Sequence, residues 1–261
     1  MGEMTEMIDL HCHILPGLDD GAKDLEESLG MCRIAYQDGI RTIVATPHTL
    51  NGVYQNGKSA ILTRVEELCS ELKLDSAIRN PQSEIDLTIL PGSDVRLSED
   101  LLNQLEEGKV TTVGDGGKFL FVEFPFQGIP YGTEEILFQL LGRGIIPIIT
   151  HPERNLEISQ RPQRYYEMIR KGCLGQVTAM SLTGEFGSKV RQVTEKLLRH
   201  RLFHFIASDA HSINGRLPIL SAAVKSAAKI LGEEEAQKMV TEYPGAVLEG
   251  RRPNIPDPLP I

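Results

Sequence analysis

Short apolar runs alternate with amphipathic stretches from one end of this chain to the other. The strand-like runs are 7–14, 40–48, 86–95, 118–124, 145–151, 174–179 and 203–211. Between them the apolar residues recur at helical spacing. Across 24–39, Leu25, Leu29, Cys32 and Tyr36 are separated by four, three and four positions and share one helix face. From about 217 to 242, Leu220, Ala223, Val224, Ala227 and Leu231 make a second such stripe. Strand–helix alternation over a whole chain predicts a parallel sheet. Seven strands with no obvious break predict one α/β domain over 1–261, a closed or nearly closed barrel. A doubly wound open sheet is the alternative. The proline-rich 250–261 are expected to lie as an extended C-terminal tail.

The polar residues in this pattern are not scattered. Alternate side chains of a strand share a face, so Asp9, His11 and His13 point one way. Phe119, Phe121 and Glu123 form a similar set, as do Pro147, Ile149 and His151, and Phe205, Ala207, Asp209 and His211. In each set the polar residues come last. His48 and Asp94 close the second and third runs, and Asp20 lies on the first loop. Parallel barrels carry their chemistry at the C-terminal strand ends. A lone His-x-His is weak evidence, but five of the seven histidines occupy such positions. His200 and His204 stand apart, read as a helix-end cation and a surface or strand residue.

The candidate metal ligands are therefore His11, His13, Asp20, His48, Asp94, Glu123, His151, Asp209 and His211, with Asp9 expected to hydrogen-bond a ligating imidazole. Imidazole and carboxylate without sulfur suit Mn²⁺, Fe²⁺ or Zn²⁺ better than Ca²⁺. Nine ligands are too many for one ion, so two or three are implied. Divalent ions lower the pKa of water toward neutrality, and hydrolysis is the expected chemistry.

A net charge of −9 argues against a nucleic-acid partner, which would require a basic face. No run reaches the ~18 apolar residues of a membrane span, and the start reads as no signal peptide. A cytoplasmic protein without membrane insertion is the expectation. Cys12, Cys32, Cys69 and Cys173 have no Cys-x-x-Cys spacing and are expected to be buried free thiols. None has an arginine six residues on, which excludes a cysteine phosphatase loop. No G-x-S-x-G, P-loop or G-x-G-x-x-G is present. Gly114, Gly116 and Gly117 precede the fourth strand and read as a tight turn. Arg154 follows His151, and Arg216 follows His211; guanidiniums there suit phosphate oxygens.

The stretches DLHCHILPGLDDG (9–21), TPH with NGVYQN (46–56), ILPGSDVRL (89–97), FVEFP (121–125), THPERN (150–155), QVTAMSLTGEFG (176–187) and HFIASDAHSINGR (204–216) resemble the PHP (polymerase and histidinol phosphatase) superfamily. Within it they resemble the manganese-dependent tyrosine-protein phosphatases of capsule and exopolysaccharide systems. The resemblance implies a (β/α)7 barrel, a distorted TIM-like fold, with Mn²⁺ as cofactor and Fe²⁺, Zn²⁺ or Mg²⁺ as substitutes. It implies one ion on His11, His13 and Asp209, a second on Glu123 and His151, with Asp94 bridging the two, and a third on Asp20, His48 and His211. Arg154 and Arg216 would bind phosphate, with His48 and Asp209 as further catalytic candidates. The implied partner is the phosphotyrosine tail of a bacterial tyrosine autokinase, and an oligomer is possible. Two departures stand out: Asp94 where the family usually has Glu, and Thr49 where it commonly has His. Tyr54, Phe126 or Tyr131 are candidates to pack on a substrate ring. The alternatives are a small-molecule phosphoesterase of the histidinol-phosphate phosphatase type and a non-catalytic, metal-bound phosphotyrosine-binding module. An amidohydrolase barrel is discounted, because Glu123 stands where that class commonly has Lys.

Overall fold

The structure, a computed structural model, describes residues 6–79 and 85–261. Its strands are β1 (Met7–Cys12), β2 (Ile40–Ala45), β3 (His48–Thr49), β4 (Thr88–Pro91), β5 (Asp94–Arg96), β6 (Phe119–Glu123), β7 (Ile146–Thr150), β8 (Leu174–Thr178) and β9 (Phe205–Ala207). Every pairing among them is parallel. They form two sheets, ordered β1-β2-β4 and β3-β5-β6-β7-β8-β9. The second and third expected strands have each broken in two. Pro47 has no N–H to give a ladder. Opposite it, a Cβ on Gly92 would lie 2.7 Å from Val44 Cγ1, so only glycine allows this approach. Pairing resumes beyond the break with His48 against Asp94.

Strand order follows chain order and never reverses, unlike a doubly wound sheet. Between β9 and β1 the contact is a single bridge, Cys12 to Ala210. Beside it the Asp209 N–H donates to the His11 carbonyl at 2.8 Å, and the His13 N–H to the Ala210 carbonyl at 2.9 Å. The expectation of one continuous barrel is thus met in part. The fold is mixed α/β with all seven expected strand positions in order, carried by two parallel sheets.

The strand interiors are buried on both faces, as parallel strands covered by helices should be; every residue of β8 is buried. Phe119 and Phe121 alternate with Leu120 and Val122, and all four are buried. The Phe121 ring sits 5.4 Å from that of His11, forming an apolar floor under the imidazole. Burying such a side chain stabilises the fold by roughly 1.5–3 kcal/mol.

The helix expected over 24–39 spans Leu25–Asp38. The Asp24 carboxylate caps it by accepting the Glu27 N–H, and Gly39 ends it in the left-handed region at φ 97°. The stretch expected over 217–242 divides into Ser221–Leu231 and Glu233–Lys238, broken at Gly232. The glycine cluster at 114–117 is a short turn, as expected. Residues 251–261 carry no helix or strand, and the Leu259 N–H ties them to the His200 carbonyl at 2.9 Å. None of the four cysteines forms a disulfide; Cys12, Cys32 and Cys173 are buried, whereas Cys69 is half-buried. Among the described residues no helix is long and apolar enough to cross a membrane.

Candidate metal centre

β1 carries His11, and His13 follows it on the same face; both are fully buried. Asp9, two residues before His11, bonds no imidazole, contrary to expectation. Its carboxylate accepts the Ser208 hydroxyl, the Ser208 N–H at 3.0 Å and the His11 N–H at 3.3 Å. It locks the start of β1 to the end of β9, because burial leaves those backbone groups no water to bond.

Asp209 and His151 both adopt left-handed backbone, at φ 51° and 33°. For residues other than glycine this costs about 1–3 kcal/mol and is held in place by the surroundings. The kink at His151 leads into the turn Pro152–Arg154 and brings Arg154 back over the strand ends. At Asp209 the kink sets one carboxylate oxygen 3.5 Å from Nε2 of both His11 and His13. The other oxygen accepts from Arg154 at 2.8 Å and from Arg216. Burial opposes ionisation of Asp209, but His13, His11 and Arg216 outweigh it and hold the carboxyl well below its usual range.

Asp94 occupies the centre. Its Oδ1 accepts the Thr150 hydroxyl at 3.2 Å. Its Oδ2 faces three imidazole nitrogens: His48 Nδ1 at 3.3 Å, His11 Nε2 at 3.9 Å and His151 Nε2 at 4.0 Å. Glu123 reaches His151 at 3.9 Å with one oxygen and Arg96 at 3.1 Å with the other. On the outer side, half-exposed Asp20 lies 3.7 Å from His48 and 3.6 Å from His211. Three groups of donor atoms lie within 4.8 Å of one another: His13, Asp20, His48 and His211; His11, His13 and Asp94; and His48, Asp94 and Glu123. Shared members make them one pool of seven candidates; Asp209, 3.5 Å from His11 and His13, and His151, 3.9 Å from Glu123, adjoin it at the same mouth.

Divalent ions fit this donor set. Asp94 Oδ2 and His48 Nδ1 are buried and make no hydrogen bond, a costly state unless a cation satisfies them. Burial keeps His11 neutral with a pKa lowered to about 4, His151 lowered to about 3 and His211 to about 2. Neutral imidazoles are ready to ligate. His13 differs: burial opposes its charge, but Asp19 and Asp209 raise its pKa to about 10. An ion taking this ring would release a proton.

Asp19 escaped the sequence reading, which chose its neighbour Asp20. It bonds His13 Nδ1 at 2.6 Å, which orients that ring, and accepts the His48 backbone N–H at 2.8 Å, which fixes the chain there. The Asp-Asp pair was the available signal; spacing alone does not say which carboxylate faces the ring. Phe186 was also missed. The Arg154 and Arg216 guanidiniums lie 5.0 and 5.9 Å from its ring centre. Of the aromatic candidates, Tyr54 stacks on His48 at 6.1 Å. Phe126 lines a cleft of about 110 Å³ with Arg96, Glu123, His151 and Arg154, and Tyr131 is fully exposed. Of the surface and strand alternatives for His204, the buried one holds, next to β9, and His200 caps the helix Ser188–Arg199.

Parallel strands with imidazole and carboxylate donors pooled at their C-terminal ends define the architecture of metal-dependent hydrolases. The chain belongs to the CpsB/CapC family of capsular polysaccharide synthesis, whose model matches residues 7–249. It is 40% identical over 210 residues to the tyrosine-protein phosphatase YwqE of Bacillus subtilis, covering 80% of this chain and 79% of that protein. It is 30% identical to the tyrosine-protein phosphatase CpsB of Streptococcus agalactiae, over 93% of this chain and 98% of the relative. Among solved structures, it matches one from the work on YwqE of Bacillus subtilis and CpsB of Streptococcus pneumoniae, described as unique metal-dependent tyrosine phosphatases. The TM-score is 0.91 at 36% identity, with 98% and 99% of the two chains covered.

Proposed function

We propose that this protein is a metal-dependent protein-tyrosine phosphatase acting in the cytoplasm on the phosphotyrosine tail of a tyrosine kinase that controls capsule or exopolysaccharide synthesis. One observation carries the reading. Asp209 turns one oxygen to two histidines of the donor pool and the other to two arginines. Cation-binding groups and anion-binding groups thus share one carboxylate, the arrangement a phosphoryl group requires. The relatives YwqE and CpsB, both tyrosine-protein phosphatases, support the same class.

In this reading residues 1–261 are one domain, its seven strand positions working as a (β/α)7 barrel with 250–261 as its tail. His11, His13 and Asp209 would hold one ion, Glu123 and His151 a second with Asp94 between them, and Asp20, His48 and His211 a third. Mn²⁺ is our first choice. Such ions supply water acidified into the neutral range and neutralise phosphoryl charge.

The chain's own residues do the rest. Arg154 and Arg216 present paired donors to phosphoryl oxygens, which compete with Asp209 for them. Phe186 keeps the two guanidiniums on one side of the mouth. Asp209 stays ionised, so its part is positioning and charge balance rather than proton donation. Burial works against charge on His48, but Asp94 raises its pKa, so an ion taking this ring would displace a proton, as at His13. A phenolate leaving group, with a reference pKa near ~10, demands less protonation than an alkoxide. Tyr54 and Phe126 border the path a substrate ring would take.

The test is phosphate release from a phosphotyrosine peptide by chelator-stripped protein, before and after Mn²⁺ is restored. Activity that vanishes and returns is expected. No release in either condition, with metal demonstrably bound, would favour a binding module or another substrate.

A further inference from the structure

The strands have a second end. His204 precedes β9 and Asp209 follows it, so roughly 15 Å of strand separates His204 from the donor pool. A cavity of about 540 Å³ opens there, beside the ends of the helices Ser188–Arg199 and Ser221–Leu231 and the C-terminal tail. Small-molecule sites span ~300–1,000 Å³. Phe203, Ile230 and Leu231, with Ile255 and Leu259 from the tail, give it apolar walls.

Three donors sit among those walls: Arg199, Arg201 and His204. Neither arginine makes a side-chain hydrogen bond or ion pair among the described residues. The lining carboxylate, Glu235, accepts the Tyr243 hydroxyl at 2.8 Å. His204 sets the polarity of the wall. The Gly175 N–H donates to its Nδ1 at 2.9 Å, so the neutral ring carries its proton on Nε2. That Nε2 is buried and has no partner. Burial keeps the ring neutral, with its pKa lowered to about 3. Two unpaired cations therefore line the half-apolar cavity, and the His204 ring, its buried Nε2 unpartnered, forms part of the wall beside them.

We propose that this cavity binds an organic anion with a hydrocarbon body, its head on Arg199, Arg201 and His204 and its body on the apolar walls. The occupant also contacts the tail, which the Leu259 N–H already ties to the His200 carbonyl. The site is distinct from the metal centre and does not depend on the phosphatase reading.

The test is calorimetric titration of the full-length, Mn²⁺-loaded protein with octanoate, with octanol as the neutral counterpart. Octanoate is expected to bind one-to-one, octanol at least tenfold more weakly, and saturating inorganic phosphate is expected to change neither. Arg199→Ala with Arg201→Ala should weaken octanoate at least tenfold, and Ile230→Trp should abolish it by filling the cavity. Both variants should keep wild-type metal content and turnover. Absence of octanoate binding at millimolar concentration overturns the proposal, as does binding undiminished in the variants. Equal affinity for octanol overturns the anion assignment, and displacement by phosphate moves the ligand to the metal centre. Should Ile230→Trp fail to fold, the two exposed arginines still decide the matter.

Discussion

His13, just past the C-terminal end of β1, and His204, just before the N-terminal end of β9, are both buried histidines, and their surroundings shift them in opposite directions. At the mouth, burial opposes charge on His13, yet Asp19 and Asp209 raise its pKa to about 10. At the far end, burial meets no carboxylate partner and lowers His204 to about 3. Desolvation is common to both; the difference is whether an anion is within reach. The mouth is thus a region of opposed charges and unsatisfied donors, tolerable where ions and substrate complete it. At the far end the neutral ring accepts the Gly175 N–H, and its buried Nε2 is left without a partner.

The sharpest way to break this comparison is Asp209→Asn. It removes the charge that faces two imidazoles and two guanidiniums at once. We expect kcat/KM for a phosphotyrosine peptide to fall about a thousandfold, as when a member of a cooperating catalytic unit is lost. A loss below tenfold would mean that the mouth does not work as one unit. Next in size, Arg154→Ala or Arg216→Ala should each cost about 10²–10³ in kcat/KM at unchanged metal content. Unchanged KM and kcat in either variant would remove that arginine from the phosphate clamp. Asp19→Asn should weaken Mn²⁺ binding about 10–100-fold in a metal titration, because it frees the His13 ring. Retained affinity would show that Asp209 alone orients the ring.

The smallest effect belongs to the far end. The folded pKa of His204 lies below the unfolded value of 6.5. Its neutral burial therefore contributes no penalty above pH 6.5, and stability falls as pH drops from 6.5 toward about 3, because the unfolded chain binds the proton first. Urea unfolding at pH 7 and pH 5 should show about 2 kcal/mol less acid destabilisation in His204→Asn than in the natural protein. Identical pH profiles would refute neutral burial of this ring.

Much of the mouth was legible in the linear pattern. Period-two alternation put His11 and His13 on one face, and ligand-type residues at successive strand ends marked the mouth. Glu123 follows its phenylalanines as the alternation implied, and Asp24 and Gly39 bound a helix where capping chemistry expected one. Other features were not readable. The break between β2 and β3 depends on how closely Gly92 approaches Val44, a cross-strand distance. Asp19 rather than Asp20 holds His13, because a loop chooses which of two adjacent carboxylates turns inward. Phe186 lies in a loop after β8, and its position under Arg154 and Arg216 joins three separate strand ends. His204 read as a surface or strand residue, and its burial could not be settled in advance because its Nδ1 is held by a backbone amide on the neighbouring strand, a cross-strand contact.

By itself, then, the amino-acid sequence determined the order of strands and helices, the end of the strands that carries the chemistry, and the ligand types available there. These follow from local periodicity and residue chemistry, which act over a few positions. Only the tertiary structure decided which carboxylate lies against which imidazole, that Asp209 turns one oxygen to His11 and His13 and the other to Arg154 and Arg216, and that two buried histidines are shifted in opposite directions. Those outcomes depend on ångström distances between residues far apart in the chain, where Coulomb and desolvation terms of similar size compete.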